Sequence, residues 1–298
     1  MTELERILEQ RERLSPLTKV AYRAALRDFL RSAGLDPRGW TPEAVLLWRQ
    51  RMQATHLQPQ TINKRLHAIR SVSHHRALLH HRPDLDFAAA IETIRVTEEA
   101  AKRHALTPEQ ARALVAVCRG TQPADLRDYA IAVVGLRTGM RRMSLCALDL
   151  QDVDWRRHTM TITLKGGKRH TMPPLDEAVF EALAPWRDWL VRRGQRQGRV
   201  FRGFGGALDG TETTPLHNAM SARGLHDAMG GRAKRAGLDG FSPHIFRHTF
   251  VTWMQDAGVP TYVIAAYTGH KSDAMILEYT DAWLQAQRVL PTSKLPSL

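Results

Sequence analysis

"SPHIFRHTF", residues Ser242–Phe250, decides how the rest of this chain is read. If the stretch is helical, His244, Arg247 and His248 stand at i, i+3 and i+4 and share one face, with Ile245, Phe246 and Phe250 turned elsewhere. That face then holds up to three cationic side chains. Like charges crowded together cost energy unless something negative sits among them, so the stretch asks for an anion.

The whole chain asks for the same thing. Its 298 residues include 43 Lys and Arg against 30 Asp and Glu, a net charge of +13, with a sequence pI near 10.4. A field of that sign attracts polyanions, nucleic acid before a membrane surface. A GC-rich genome writing Arg for Lys would explain an excess of arginine over lysine, but not the net charge. The hydrophobic fraction of 43% and the charged fraction of 24% are ordinary for a globular protein, and the length has room for two domains. Cys118 and Cys146 are isolated and match no metal-ligand spacing, which fits two small core residues in a reducing cytoplasm. The start, MTELERILEQRERL, is charged and helical rather than a signal peptide. The longest apolar run, Ala130 to Leu136, is too short to span a bilayer. The expectation is a soluble, cytoplasmic protein that does not engage a membrane.

Residues 1 to about 95 read as helical throughout. Ser15-Pro16 begins one helix, carrying Leu17, Val20, Ala21, Ala24, Ala25 and Leu26; Thr41-Pro42-Glu43 begins another, with proline at the first helical position. Between Glu43 and Asp84 no acidic residue occurs, while seven Lys or Arg and six His do. Within this run, "TINKRLHAIRSVSHHRALLHH" sets Ile62, Leu66, Ile69, Val72 and Leu79 near helical spacing. A solvated helix face is the plain reading, but such a face normally mixes signs and this one does not. A basic amphipathic helix lying on DNA is expected instead, with Lys64, Arg65, Arg70 and Arg76 as contacts. The pairs His74–His75 and His80–His81 lack a closed ligand set, so no metal is expected there.

The polar stretch "RVTEEAAKRHALTPEQ" is a linker, and it places two domains at 1–97 and 104–298. Thr107 is an N-cap with Gln110 at the capping-box position. Ala111–Cys118 and Leu126–Leu136 then read as core helices. Three short strands follow, "DVDW", "TMTITL" and "RHTMP", with Lys165-Gly166-Gly167-Lys168 as the tight turn between the last two. Helix resumes from about Leu175 to Arg193, and Gly194–Gly210 reads as a loop with a short strand at Val200-Phe201. Helical segments continue toward a Pro-containing tail after Leu290. The fold class expected is mainly α with a small antiparallel sheet. No internal repeat and no Rossmann or P-loop glycine pattern is present.

Four stretches, "TGMRRMSLCALDLQDVDW", "KGGKRHTMP", "SPHIFRHTF" and "YTGHKSDAMILEYTD", occur in one order over residues 104 to 290. In that order and spacing they resemble the tyrosine recombinases, the phage-integrase family, and in simplicity the Xer-like two-domain type. The resemblance implies an α-helical, SAM-like core-binding domain followed by an α+β catalytic domain. It implies catalytic roles for Arg141, Lys165, His244, Arg247, His270 and Tyr279. Arg137 competes with Arg141, but 24 residues separate Arg141 from Lys165 and 11 separate it from Asp152, as the family pattern requires. The resemblance further implies a specific duplex site, a homotetramer on DNA exchanging its C-terminal segments in trans, and room for a partner recombinase or accessory factor. No cofactor is implied.

The chemistry gives these residue types a reason. A phosphodiester attacked in line gains charge on its two non-bridging oxygens, and two guanidiniums offer planar donor forks that stay charged. By this resemblance Tyr279 is the nucleophile; a free phenol titrates near pKa 10, and neighbouring cationic groups would lower that value. His244 suits the base, Lys165 the acid for the leaving 5′-hydroxyl, with Lys168 in reserve. His270 adds a donor. One departure stands out: relatives carry an acid three positions after the first arginine, where this chain has Ser144. A serine hydrogen-bonds without charge, so either the site is less pre-organised or another acid such as Asp149 substitutes. Two rivals follow from the same residues: a non-catalytic DNA-binding protein, with Ser144 as its first sign of decay, and a type IB topoisomerase-like enzyme that relaxes DNA without a specific site.

Overall fold

The computed structural model describes residues 1–95, 105–164, 167–205, 216–269 and 296. The chain divides into two compact units, Met1–Lys102 and Arg103–Leu298. Both are built from helices, and the second adds a three-stranded antiparallel sheet in the order β1-β2-β3. The expected fold class, mainly α with a small antiparallel sheet, is the one observed.

In the first unit, two helices start where the sequence supplies a hydroxyl and then a proline. α1 (Glu3–Glu9) opens with a capping box between Thr2 and Glu5. α2 (Pro16–Ala33) is capped by Ser15, which accepts from the Thr18 amide. α3 (Pro42–Ala54) is capped by Thr41, which accepts from Ala44. The hydroxyl satisfies an amide the helix leaves without a partner, and proline has no amide to leave. α4 (Pro59–Leu79) buries Ile62, Leu66, Ile69 and Val72 as their spacing requires. Phe29 ties the core together, edge-on to Trp48 at 5.5 Å and stacked on Phe87 at 5.8 Å.

Three expectations for this unit are corrected. Leu79 ends α4 and is 47% exposed, outside the buried stripe. Leu17 and Val20 are also exposed, because Ala25, Leu26, Phe29 and Leu30 set the buried face of α2. Most consequentially, Arg76 does not present itself to solvent. It is 8% exposed, pairs with Glu3 at 2.9 Å and lies over the Trp40 ring. Partners for the single-sign run come from other elements: Arg65 pairs with Asp28 of α2, and His74 with Asp86. The mixing of signs missing from the sequence of the run is supplied by the fold.

In the second unit, α5 (Pro108–Cys118) begins with the Thr107–Gln110 capping box. α6 (Pro123–Thr138) is buried along nearly its whole length, its charged Arg127, Asp128 and Arg137 included. α7 (Arg142–Ala147) is followed by β1 (Val153–Asp154), β2 (Thr159–Thr163) and β3 (Arg169–Thr171), with Thr163 opposite Arg169 and Ile162 opposite His170. α8 (Glu177–Arg192), α9 (Ala222–Arg235) and α10 (His244–Asp256) pack onto α6, and α11 (Thr261–Thr268) onto α10. Val200-Phe201 is not a strand. Trp186 donates to the Val200 carbonyl at 2.8 Å and Val200 donates to Leu148, so this backbone is satisfied without a ladder; a single bridge joins Asp149 to Arg199. Cys118 and Cys146 are buried, and burial pushes their thiols up to about 12 and about 11, as for inert core residues. Among the described residues no helix is long and apolar enough to cross a membrane.

The second unit also buries charge. Asp128 takes Arg127 Nε at 2.8 Å on one oxygen and Arg232 Nε at 2.8 Å on the other, and Arg232 also pairs with Asp125 at 2.8 Å. Arg127, Asp128 and Arg232 are each no more than 5% exposed. Removing one member of such a set strands the others. Asp128→Ala is expected to lose roughly 3–5 kcal/mol in guanidinium chloride unfolding.

Candidate active site

Two glycines in the left-handed region bring the site together. Gly139, at φ +59, ends α6, and a Cβ there would lie 2.6 Å from the Phe250 ring. With no side chain to hold them apart, the end of α6 lies against α10. The Gly139 carbonyl then accepts from Arg247 Nη1 at 3.0 Å. Arg247 Nη2 donates to the Thr268 carbonyl at 2.9 Å, and Arg141 Nη1 reaches the same oxygen at 3.5 Å. Thr268 is the last residue of α11, where carbonyls left without partners inside the helix favour cations. The end of α6, α10 and the end of α11 thus hold two guanidiniums at one point.

Arg247 is 5% exposed, and burial together with neighbouring Arg141 brings it down to about 10 from its ordinary 12.5. Since the folded value lies below the ordinary one, folding disfavours the charged form at every pH below about 10, and that cost fades only as pH rises through about 10. An anion beside it removes the same cost at neutral pH. His244 opens α10 and is exposed; its ring meets that of His248 edge-on at 4.9 Å. The face expected to carry three cations is therefore divided: both histidines face outward while the arginine between them turns into the protein.

Arg137, the rival to Arg141, is buried within α6 with Asp176 at 3.7 Å. Ser144 answers the question its identity raised. Its hydroxyl donates to the Thr163 carbonyl at 3.0 Å, tying α7 to the end of β2. Asp149, the other acid considered for that role, pairs with Arg199 at 3.6 Å. Arg169 pairs with Asp152 at the foot of the hairpin.

Lys165, His270 and Tyr279 lie outside the described residues, as does the C-terminal segment expected to act in trans. Their chain neighbours Leu164 and Gly269 are described, and they touch. Gly269 caps α11 at φ +62, and a Cβ on it would lie 2.6 Å from Leu164 Cδ2. Gly269→Ala has to strain the backbone and push Leu164 aside. It is expected to cost roughly 1–3 kcal/mol in thermal unfolding.

Of the expected DNA contacts, Lys64 is exposed, and it lines a groove of ≈ 1150 Å³ between α2 and α4 with Arg65, His67 and Arg70. Arg76 is absent from that lining. Lys168 is exposed on the hairpin of the other unit. Two site features went unseen in the sequence. Thr268 acts through its backbone and leaves no residue-type signal. His170, on β3, brings Nε2 to 2.7 Å from the Ala266 carbonyl; strand alternation, which turns it inward between exposed Arg169 and Thr171, was the available clue.

Residues 104–285 match the phage integrase family, and the chain belongs to that family. It is 33% identical over 171 residues to the tyrosine recombinase XerC of Corynebacterium efficiens, covering 57% of this chain and 50% of that protein. To the tyrosine recombinase XerD of Mycobacterium tuberculosis it is 29% identical over 213 residues, 69% of this chain and 64% of that one. The chain therefore spans only 50% and 64% of these relatives' length. Among solved structures, a lambda integrase dimer bound to a COC′ core site matches with a TM-score of 0.66 at 16% identity, over 91% of this chain and 93% of that one. The Tn1549 transposon integrase in complex with circular intermediate DNA also gives 0.66, at 18% identity over 97% and 100%. At these identities the structural likeness establishes the fold.

Proposed function

We propose that the chain is a site-specific DNA recombinase that cuts and rejoins duplex DNA through a 3′-phosphotyrosyl intermediate. One observation carries the reading: Arg141 and Arg247 both point a guanidinium at the Thr268 carbonyl, with Arg247 buried at an electrostatic cost that a phosphate relieves. The two forks bind the non-bridging oxygens, whose charge grows as phosphorus becomes pentacoordinate. The Tyr279 oxygen forms the new bond to phosphorus while the bond to the 5′-oxygen breaks. His244 accepts the phenolic proton, Lys165 gives one to the leaving 5′-oxygen, and His270 donates to the phosphoryl group. The phosphotyrosyl link retains the bond energy of the backbone, so religation by a second 5′-hydroxyl consumes neither ATP nor a metal ion.

Residues 1–97 serve as the DNA core-binding domain, with Lys64, Arg65 and Arg70 toward the backbone, and 104–298 as the catalytic domain, with Lys168 near the cut strand. A homotetramer on an inverted-repeat site, exchanging C-terminal segments in trans, completes the cytoplasmic complex. Ser144 supports a working site rather than a decayed one, because its hydroxyl does a tethering job at the hairpin. The test uses a duplex that the chain itself selects from a randomised pool, with a nick near the cut so that a short oligonucleotide is lost. In EDTA the chain is expected to become covalently attached, and mass spectrometry to find the nucleotide on the peptide containing Tyr279. Attachment to any other residue, or none on any selected duplex, overturns the reading.

A further inference from the structure

We propose that His170 is a positioning residue: the hydrogen bond it donates to the Ala266 carbonyl holds the β2–β3 hairpin against the last turn of α11, and so fixes the end of β2 beside Gly269. The proposal rests on reading the chain as a strand-cleaving enzyme and names what sets the hairpin's place within it.

A carbonyl only accepts, so at 2.7 Å from Ala266 the His170 Nε2 carries the hydrogen. Burial, the largest influence, keeps this imidazole below its ordinary value, and the neutral ring suffices as donor. Ala266 stands among the last four residues of α11, whose carbonyls a helix leaves without internal partners. His170 thereby satisfies a group that would otherwise have to find water. The bond is one of several ties around the same point. Tyr267, the next residue of α11, donates its hydroxyl to the Pro174 carbonyl at 3.0 Å, just beyond β3. On the other strand, Ser144 holds Thr163 at 3.0 Å. β2 is thus tied to the helix that follows Arg141, and β3 to the helix whose end accepts from Arg141 and Arg247. His170 lies opposite Ile162 across the ladder, two residues before the Leu164 that packs on Gly269. Lys165 is the next residue in the chain. A hairpin free to swing by even 1 Å would misplace the proton donor, and displacements of that size cost up to about 10²-fold in rate.

The test separates proton donation from everything else. Two selected, nicked duplexes are compared, one with the ordinary 5′-oxygen at the cut and one with sulfur in its place, since a thiolate leaves without needing a proton. His170→Leu, similar in bulk but with no donor, is expected to cleave the oxygen duplex ~30- to 100-fold more slowly than wild type and the sulfur duplex at the wild-type rate. His170→Gln, whose side-chain amide can reach the same carbonyl, is expected to recover most of the oxygen rate. Wild-type speed for His170→Leu on oxygen, or equal slowing on both duplexes, overturns the proposal; the latter marks a role in folding or binding alone. If His170→Leu lacks a cooperative thermal transition, His170→Asn, polar but too short to reach, takes its place with the same two outcomes. A wild-type chain that cleaves neither duplex overturns the enzymatic reading itself, independently of His170.

Discussion

Tyr279→Phe is expected to bind the selected duplex as tightly as the wild-type chain and to form no covalent adduct with it. The change removes one oxygen and leaves the ring, so packing and charge are nearly unaltered. The groups proposed to hold phosphate, Arg141 and Arg247 at the Thr268 carbonyl, are untouched. Duplex affinity comes chiefly from cations meeting backbone phosphates, and neutral residue 279 adds no charge to that sum. The reaction, in contrast, has no substitute nucleophile. Water attacking in its place would yield a free 3′-phosphate and no protein-bound DNA. Gel retardation at a stated salt concentration measures the first half of the prediction, and denaturing gels of the nicked duplex measure the second. An adduct that survives the substitution places the nucleophile elsewhere; a collapse in binding makes residue 279 part of the fold.

What the sequence disclosed follows a physical line. Signals confined to a few neighbouring residues were legible: the caps at Thr41 and Thr107, the burial of α6, and the strand pairing around the Lys165–Lys168 turn. The family motifs singled out Arg141 over Arg137; in the fold Arg141 reaches the Thr268 carbonyl and Arg137 pairs with Asp176. Features made by distant residues were not legible. Arg76 looked like a DNA contact because its partner Glu3 lies 73 residues away. Val200-Phe201 looked like a strand because its β-prone residues are buried, when Trp186 and Leu148 satisfy its backbone. The role of Ser144 depends on a backbone carbonyl in β2, and no side-chain pattern announces a carbonyl.

Arg247→Ala is expected to slow cleavage by about 10³-fold or more while changing unfolding free energy far less than its burial suggests. The catalytic half follows from the charge that the pentacoordinate phosphate develops: loss of one pre-aimed donor typically costs 10²–10³-fold, and a transferring-phosphoryl arginine 10³–10⁵-fold. The stability half follows from two opposed effects. Truncation leaves the Gly139 and Thr268 carbonyls without the donors at 3.0 and 2.9 Å, which destabilises. It also removes a cation that folding holds at about 10, disfavoured by burial and by Arg141, which stabilises at neutral pH. Arg247→Lys should not rescue cleavage. A single ammonium cannot span both carbonyls and still present a fork to phosphate, and in this setting it loses its proton more readily than a guanidinium. Single-turnover cleavage and denaturant unfolding on the same preparations decide the matter. Cleavage within tenfold of wild type would show that phosphate is held elsewhere; a stability loss as large as that expected for Asp128→Ala would make Arg247 a structural pillar rather than a charge held ready for an anion.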